Sequence, residues 1–340
     1  YMVTLYYLRR FLVYFQDILA KTTHQEVSVS EELLDCFRRI DATLREHHGL
    51  TSCDISNAQR RAILDGLGTA SSDYRHKIYK EDFSGRKGTL ALSDLASFVE
   101  VALSHLEHSI RANKRTDGLY HAYNLMTVEA DGGVDITYLP EMLEGQVAVL
   151  SSGLLDANES LEVLDALKTS ALFREDQYSY VLYPNKDLPR FLDKNNLDPK
   201  AVADSALLTQ LLADGNQDIV TQDCLGGFHF NGNFHNVKAL RVALADLPAA
   251  YDALVAKEQQ HVEAIYEGIF NHKAFTGRSG TFFGYEGLGS IYWHMVSKLR
   301  LAAFEVTQDA VAQKESPKVV GRLFDHYFEI NAGIGAHKSP

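Results

Sequence analysis

Residues 2–19 read MVTLYYLRRFLVYFQDIL, and within them Leu5, Leu8, Leu12, Phe15 and Leu19 recur at intervals of three and four. Because 3.6 residues complete one helical turn, that interval puts all five on one face of an α-helix. A strand would show alternation instead. Arg9, Arg10, Gln16 and Asp17 interrupt the apolar run, so the stretch is neither a signal peptide nor a membrane span. The same period returns at Leu33, Phe37, Ile40 and Leu44.

Helix-start signals agree with the periodicity. Ser28 with Glu31, Ser56 with Gln59 and Asp156 with Glu159 have capping-box spacing, and Asp198-Pro199 and Ser316-Pro317 set a capping side chain before a proline. Together they predict helices near 2–19, 30–47, 56–79, 92–113, 139–150, 157–171, 187–195, 199–213, 236–246, 248–271, 287–312 and 317–330. Strand-like runs are few, near 119–128, 178–183 and 218–221. The expected fold is therefore mainly all-α, one domain of successive helical hairpins over residues 1–340, with a few short strands in its loops.

With 33 Lys+Arg against 45 Asp+Glu the 340-residue chain carries a formal charge of −12, which argues against a nucleic-acid partner, since phosphate binding needs a basic face. At 46% hydrophobic and 23% charged the composition is that of a globular protein. Cys36, Cys53 and Cys224 are odd in number and widely spaced, so neither a disulfide framework nor a zinc site is indicated. Asp214-Gly215-Asn216-Gln217-Asp218 begins like a calcium loop, but Ile219 and Leu225 stand where that loop needs Gly and Glu. Glu258 and His261 have di-metal spacing without the second copy such a bundle requires. No metal site, membrane partner or cofactor is expected, and G-x-G-x-x-G after a strand and G-x-S-x-G are both missing, which disfavours Rossmann and α/β-hydrolase chemistry. The chain opens on Tyr1 and closes on what reads as half a loop, so a piece of a longer polypeptide is expected, with flanking domains as partners and a cytoplasmic setting favoured.

Four inter-helix stretches mix aromatics with amides, histidines and carboxylates. They carry Asp117, His121, Tyr123 and Asn124; Asp176 and Gln177; Asp223, His229 and Asn231; and Arg278, Phe283, Tyr285, Glu286, Trp293 and His294. A sugar ring offers C–H faces to aromatic side chains and a rim of hydroxyls to polar ones, so these residues are candidates for binding an oligosaccharide or glycoside. Cleaving a glycosidic bond needs a carboxylic acid to protonate the leaving oxygen. Glu286, between Tyr285 and Gly287, is the first candidate, with Asp176 and Asp223 as alternatives.

The paired helices, with Arg115-Thr116-Asp117-Gly118-Leu119-Tyr120-His121-Ala122-Tyr123-Asn124-Leu125 and the run from Gly280 to His294 between them, resemble the active-site loops of six-hairpin (α/α)6-toroid carbohydrate-active enzymes. Those include glycoside hydrolases and cellobiose-phosphorylase-like enzymes. The resemblance implies a toroid, complete or cut short, with a loop carboxylate at its mouth as general acid. In the phosphorylase version inorganic phosphate is the nucleophile and no catalytic base is needed, so Arg278, Ser279, Thr281 and His294 are candidates for holding phosphate. A Trp-Asn-Asp acid motif is absent from the sequence. The competing expectation is a non-catalytic helical module that binds a glycan or a neighbouring domain.

Overall fold

The computed structural model describes residues 1–185, 189–271 and 291–335. Its helices are α1 (Met2–Lys21), α2 (Glu31–Glu46), α3 (Asn57–Lys80), α4 (Leu92–Arg111), α5 (Leu143–Leu150), α6 (Ala157–Thr169), α7 (Phe191–Lys194), α8 (Pro199–Ala203), α9 (Ala206–Ala213), α10 (Val237–Ala245), α11 (Asp252–Phe270), α12 (Trp293–Ala312) and α13 (Pro317–Ile334). Strands occur among the described residues only as four two-stranded antiparallel pairs: β1 (Glu26–Ser30) with β2 (Lys87–Ala91), β3 (Asn124–Val128) with β4 (Val134–Tyr138), β5 (Phe173–Arg174) with β6 (Ser179–Tyr180), and β7 (Val220–Gln222) with β8 (Phe228–Phe230). The fold is mainly α, as the periodicity requires. No helix among the described residues is long and apolar enough to cross a membrane.

The chain forms two compact units, one from residues 1–184 and 290–340, the other from residues 185–289. The second thus interrupts the first. In the first unit, Leu143, Val147 and Leu150 of α5 and Leu161, Leu164 and Leu167 of α6 share a buried cluster with Leu299, Ala302, Ala303 and Val306 of α12 and Leu323 and Ile330 of α13. Met2 and Tyr6 of α1 join it. Each fully buried leucine there stabilises the fold by about 1.5–3 kcal/mol. The second unit has its own core, in which Leu207, Leu208 and Leu211 of α9, Leu240 and Leu244 of α10, and Val262, Tyr266 and Phe270 of α11 enclose Val220 and Phe230 of the β7–β8 hairpin.

Local chemistry explains most element boundaries. Ser56 with Gln59 and Asp156 with Glu159 form complete capping boxes at α3 and α6. Asp198 and Ser316 cap α8 and α13 ahead of Pro199 and Pro317. At α2 the cap is Ser30, whose hydroxyl accepts from Leu33 N at 3.2 Å, whereas Ser28 lies in β1 opposite Thr89. The expected 199–213 helix is broken at Ser205 because the buried Glu258 carboxylate takes the hydroxyl of Ser205 at 2.7 Å and the N–H groups of Ala206 and Leu207 at 3.2 and 3.0 Å, starting α9 afresh. The helix expected from 139 starts at Leu143, after Pro140, and the one expected over 187–195 is reduced among the described residues to Phe191–Lys194, after Pro189.

Candidate functional site

The expected residues are densest in the loop after α4. There Asn113 O accepts from His121 N at 3.1 Å and Arg115 N donates to Leu119 O at 2.8 Å, folding 113–121 back on itself. Gly118, at φ +83°, makes the reversal in a conformation that side chains strain. This pairing turns the N–H and C=O of fully buried Tyr120 away from the loop, and Gln146 of α5 satisfies both. Its Oε1 accepts from Tyr120 N at 2.9 Å, and its Nε2 donates to Tyr120 O at 2.8 Å and to Met142 O at 3.0 Å. A Cβ on neighbouring Gly145 would meet Ala122 Cβ and Tyr120 O at 3.0 Å, so glycine permits the close approach of α5.

On this frame the polar side chains are fixed. Arg115 donates to Asp117 through Nε at 3.1 Å and Nη2 at 2.7 Å, and Nη2 also reaches Glu141 at 3.2 Å. The Arg115 guanidinium, helped by the N–H of Leu119, holds the Asp117 carboxyl below its usual range. The His121 ring lies flat on Tyr138 of β4, with centroids 4.0 Å apart and planes 13° apart. Burial, and then Arg115, lower the His121 pKa, so its imidazole is neutral at pH 7. Tyr123 donates its hydroxyl to Glu144 at 2.5 Å and packs edge-on to Tyr1, and Asn124 donates to the Asn113 side chain at 2.9 Å. Ala112, Lys114, Arg115, Thr116, His121 and Tyr138 line a cavity of about 280 Å³.

The structure therefore brings Asp117, His121, Tyr123 and Asn124 into one folded loop. Asp176 and Gln177 lie elsewhere in the first unit, exposed in the turn between β5 and β6, where Arg174 grips Asp176 with two hydrogen bonds of 2.8 Å and lowers its pKa. Trp293 and His294 occupy the exposed first turn of α12. In the second unit, Asp223 ties the β7–β8 turn by accepting from Leu225 N and Gly227 N at 2.8 Å each, and its other oxygen meets His229 Nε2 at 2.9 Å. His229 Nδ1 donates to Asn195 O at 2.6 Å. With an acceptor at each ring nitrogen, the carbonyl of Asn195 and then Asp223 raise the His229 pKa, and His229 with the two backbone N–H groups lowers that of Asp223. Asn231 is engaged by Gln217 O and Asn233 N.

A general acid needs a raised pKa, and the surroundings of Asp176 and Asp223 push the other way. Glu286, Arg278, Phe283 and Tyr285, with Ser279 and Thr281, fall outside the described residues. Two residues of the loop assembly escaped the sequence reading of individual sites. Tyr138 shows only as the end of an alternating Val134-Asp135-Ile136-Thr137-Tyr138 run, and Gln146 as an amide within an apolar helix.

Residues 188–273, within the interrupting unit, match a protein family described as GH149 phosphorylase insertion domain 2. The similarity is of that segment alone, and it is to an insertion domain of a glycoside phosphorylase family. No curated protein matches the chain.

Proposed function

We propose that this chain is part of an enzyme that cleaves a glycosidic bond by phosphorolysis, with the interrupting unit as an accessory domain. The observation that carries the reading is the coincidence of two boundaries. The segment similar to a phosphorylase insertion domain falls inside a compact unit that interrupts a helical body. The helical-hairpin toroid belongs to the same proposal and is supported by hairpins such as α2–α3 and α12–α13, whose helices pack on each other.

In this reading a carboxylic acid gives its proton to the glycosidic oxygen while a phosphate oxygen attacks the anomeric carbon, yielding a sugar 1-phosphate and a shortened saccharide. Glu286 is the proposed acid, Arg278, Ser279, Thr281 and His294 the proposed phosphate ligands, and Asp117, His121, Tyr123 and Asn124 proposed sugar contacts. The test is to incubate the protein with neutral oligosaccharides and inorganic phosphate and to assay sugar 1-phosphate. Glu286→Gln is expected to lower turnover at least about 100-fold, the lower range for loss of a general acid. Reducing sugar released without consumption of phosphate, or a Glu286→Gln variant of full activity, refutes the reading.

A further inference from the structure

The cavity beside Tyr138 has no role in the proton and phosphate chemistry above, and its lining is chemically specific. One face of the Tyr138 ring is covered by His121 at 4.0 Å, which fixes the ring plane, while 49% of the residue stays exposed. Around it are more donors than the protein uses. Arg115 spends Nε and Nη2 on Asp117 and Glu141, but its Nη1 N–H pair has no acceptor among the described residues, and neither the Thr116 nor the Tyr138 hydroxyl has a partner there. The charges do not favour an anion. Arg115 faces Asp117 and Glu141, and Lys114 is paired with Glu162 at 3.2 Å, so two cations meet three carboxylates. The His121 ring adds no positive charge at neutral pH.

A flat half-open aromatic face, unspent N–H and O–H groups and no surplus positive charge describe a site for a neutral polyhydroxyl ring. The volume, about 280 Å³, lies just below the range of roughly 300–1,000 Å³ typical of whole drug-sized ligands, so it suits one ring and not a chain. We propose that the cavity lined by Arg115, Thr116, His121 and Tyr138 is a glycan subsite that stacks one neutral pyranose of an oligosaccharide on Tyr138. The proposal deepens the carbohydrate reading and rests on it for the class of ligand, but its test reads binding and not turnover.

The experiment titrates the protein calorimetrically with neutral glucose tetrasaccharides of α-1,4, β-1,4 and β-1,3 linkage, and separately with inorganic phosphate. At least one tetrasaccharide is expected to bind, roughly 3- to 10-fold more weakly to Tyr138→Ala, the range of an aromatic stack, and with a smaller loss to Tyr138→Phe, which keeps the ring and gives up only the hydroxyl. Thr116→Val, a change on an exposed loop that leaves the β3–β4 pair and the 113–121 backbone hydrogen bonds intact, is expected to weaken binding as well and covers the case in which Tyr138→Ala fails to fold. The subsite is overturned if no tetrasaccharide binds, if Tyr138→Ala folds and binds as the unaltered protein does, if Thr116→Val binds undiminished, or if phosphate alone titrates in a manner abolished by Tyr138→Ala. Glycan binding sensitive to Tyr138 without phosphorolysis would sink the enzymatic reading and leave the subsite standing. Phosphorolysis with an unchanged KM in Tyr138→Ala would do the reverse.

Discussion

Replacing Gln146 by leucine is expected to loosen the whole 113–124 loop although the side chain is nearly conserved in volume. Gln146 is fully buried and its amide holds Tyr120 N, Tyr120 O and Met142 O. Met142 O keeps a second donor, Gly145 N at 3.2 Å, so it is not orphaned. The N–H and C=O of Tyr120 are left buried without a partner, at about 1–3 kcal/mol each, or roughly 2–6 kcal/mol together. Because the chain has two compact units, the cleaner assay is local: native-state hydrogen exchange of peptides spanning 113–124, read as the free energy of opening. A fall of less than about 1 kcal/mol in that opening energy would show that the Gln146 clamp is not what holds the loop. Gln146→Glu offers a sign test. At neutral pH its carboxylate faces the lone pairs of Tyr120 O and the loop should open more readily, whereas in acid the protonated side chain can donate again and protection should return in part.

Three further outcomes are expected. Glu258→Ala removes the acceptor of three hydrogen bonds at the start of α9 and should cost the second unit about 1–2 kcal/mol in urea denaturation; an unchanged midpoint would refute the capping role. Gly333→Ala would drive a Cβ into Tyr178 O, forcing α13 off the β5–β6 turn at a cost of roughly 1–3 kcal/mol, seen as a lower melting temperature. For the Asp223–His229 pair, the raised His229 pKa means its contribution is complete below about 6.5 and lost as pH rises through the folded value, and the lowered Asp223 pKa means its contribution is present above about 3.8 and lost as pH falls through the folded value. The β7–β8 tie is thus strongest between those limits, and an NMR titration should place His229 above its ordinary pKa in the native protein and lower it in Asp223→Asn.

What could be read ahead of the structure was whatever is written within a turn or two of chain. The three-and-four spacing marked α1, and Ser56-to-Gln59 and Asp156-to-Glu159 marked where α3 and α6 begin, although their ends differ by one or two residues from those expected. The β1–β2 pairing was hidden because Val27 meets Leu90 across some sixty intervening residues with no tight turn to announce it. Glu258 illustrates the same limit for single residues. Its spacing to His261 suggests a ligand pair, but its function in the fold is set by Ser205, far away in sequence. At the candidate site the polar residues of the loop after α4 were legible by type, while Tyr138 was not, since its significance comes from a stack with His121 that only the β3–β4 register creates.

The order of the segments also governs how the polypeptide must assemble. Leucines of α5 and α6 that end up fully enclosed find their partners on α12 and α13, which emerge only after residues 185–289 have been made. At about 5–20 residues per second of synthesis, the nascent body waits on the order of 5–20 seconds with that apolar face bare. Meanwhile the interposed segment, whose hydrophobic contacts are self-contained, can close on the ribosome first. Substitutions that slow its closure would then lower the yield of soluble protein even where the finished molecule is equally stable.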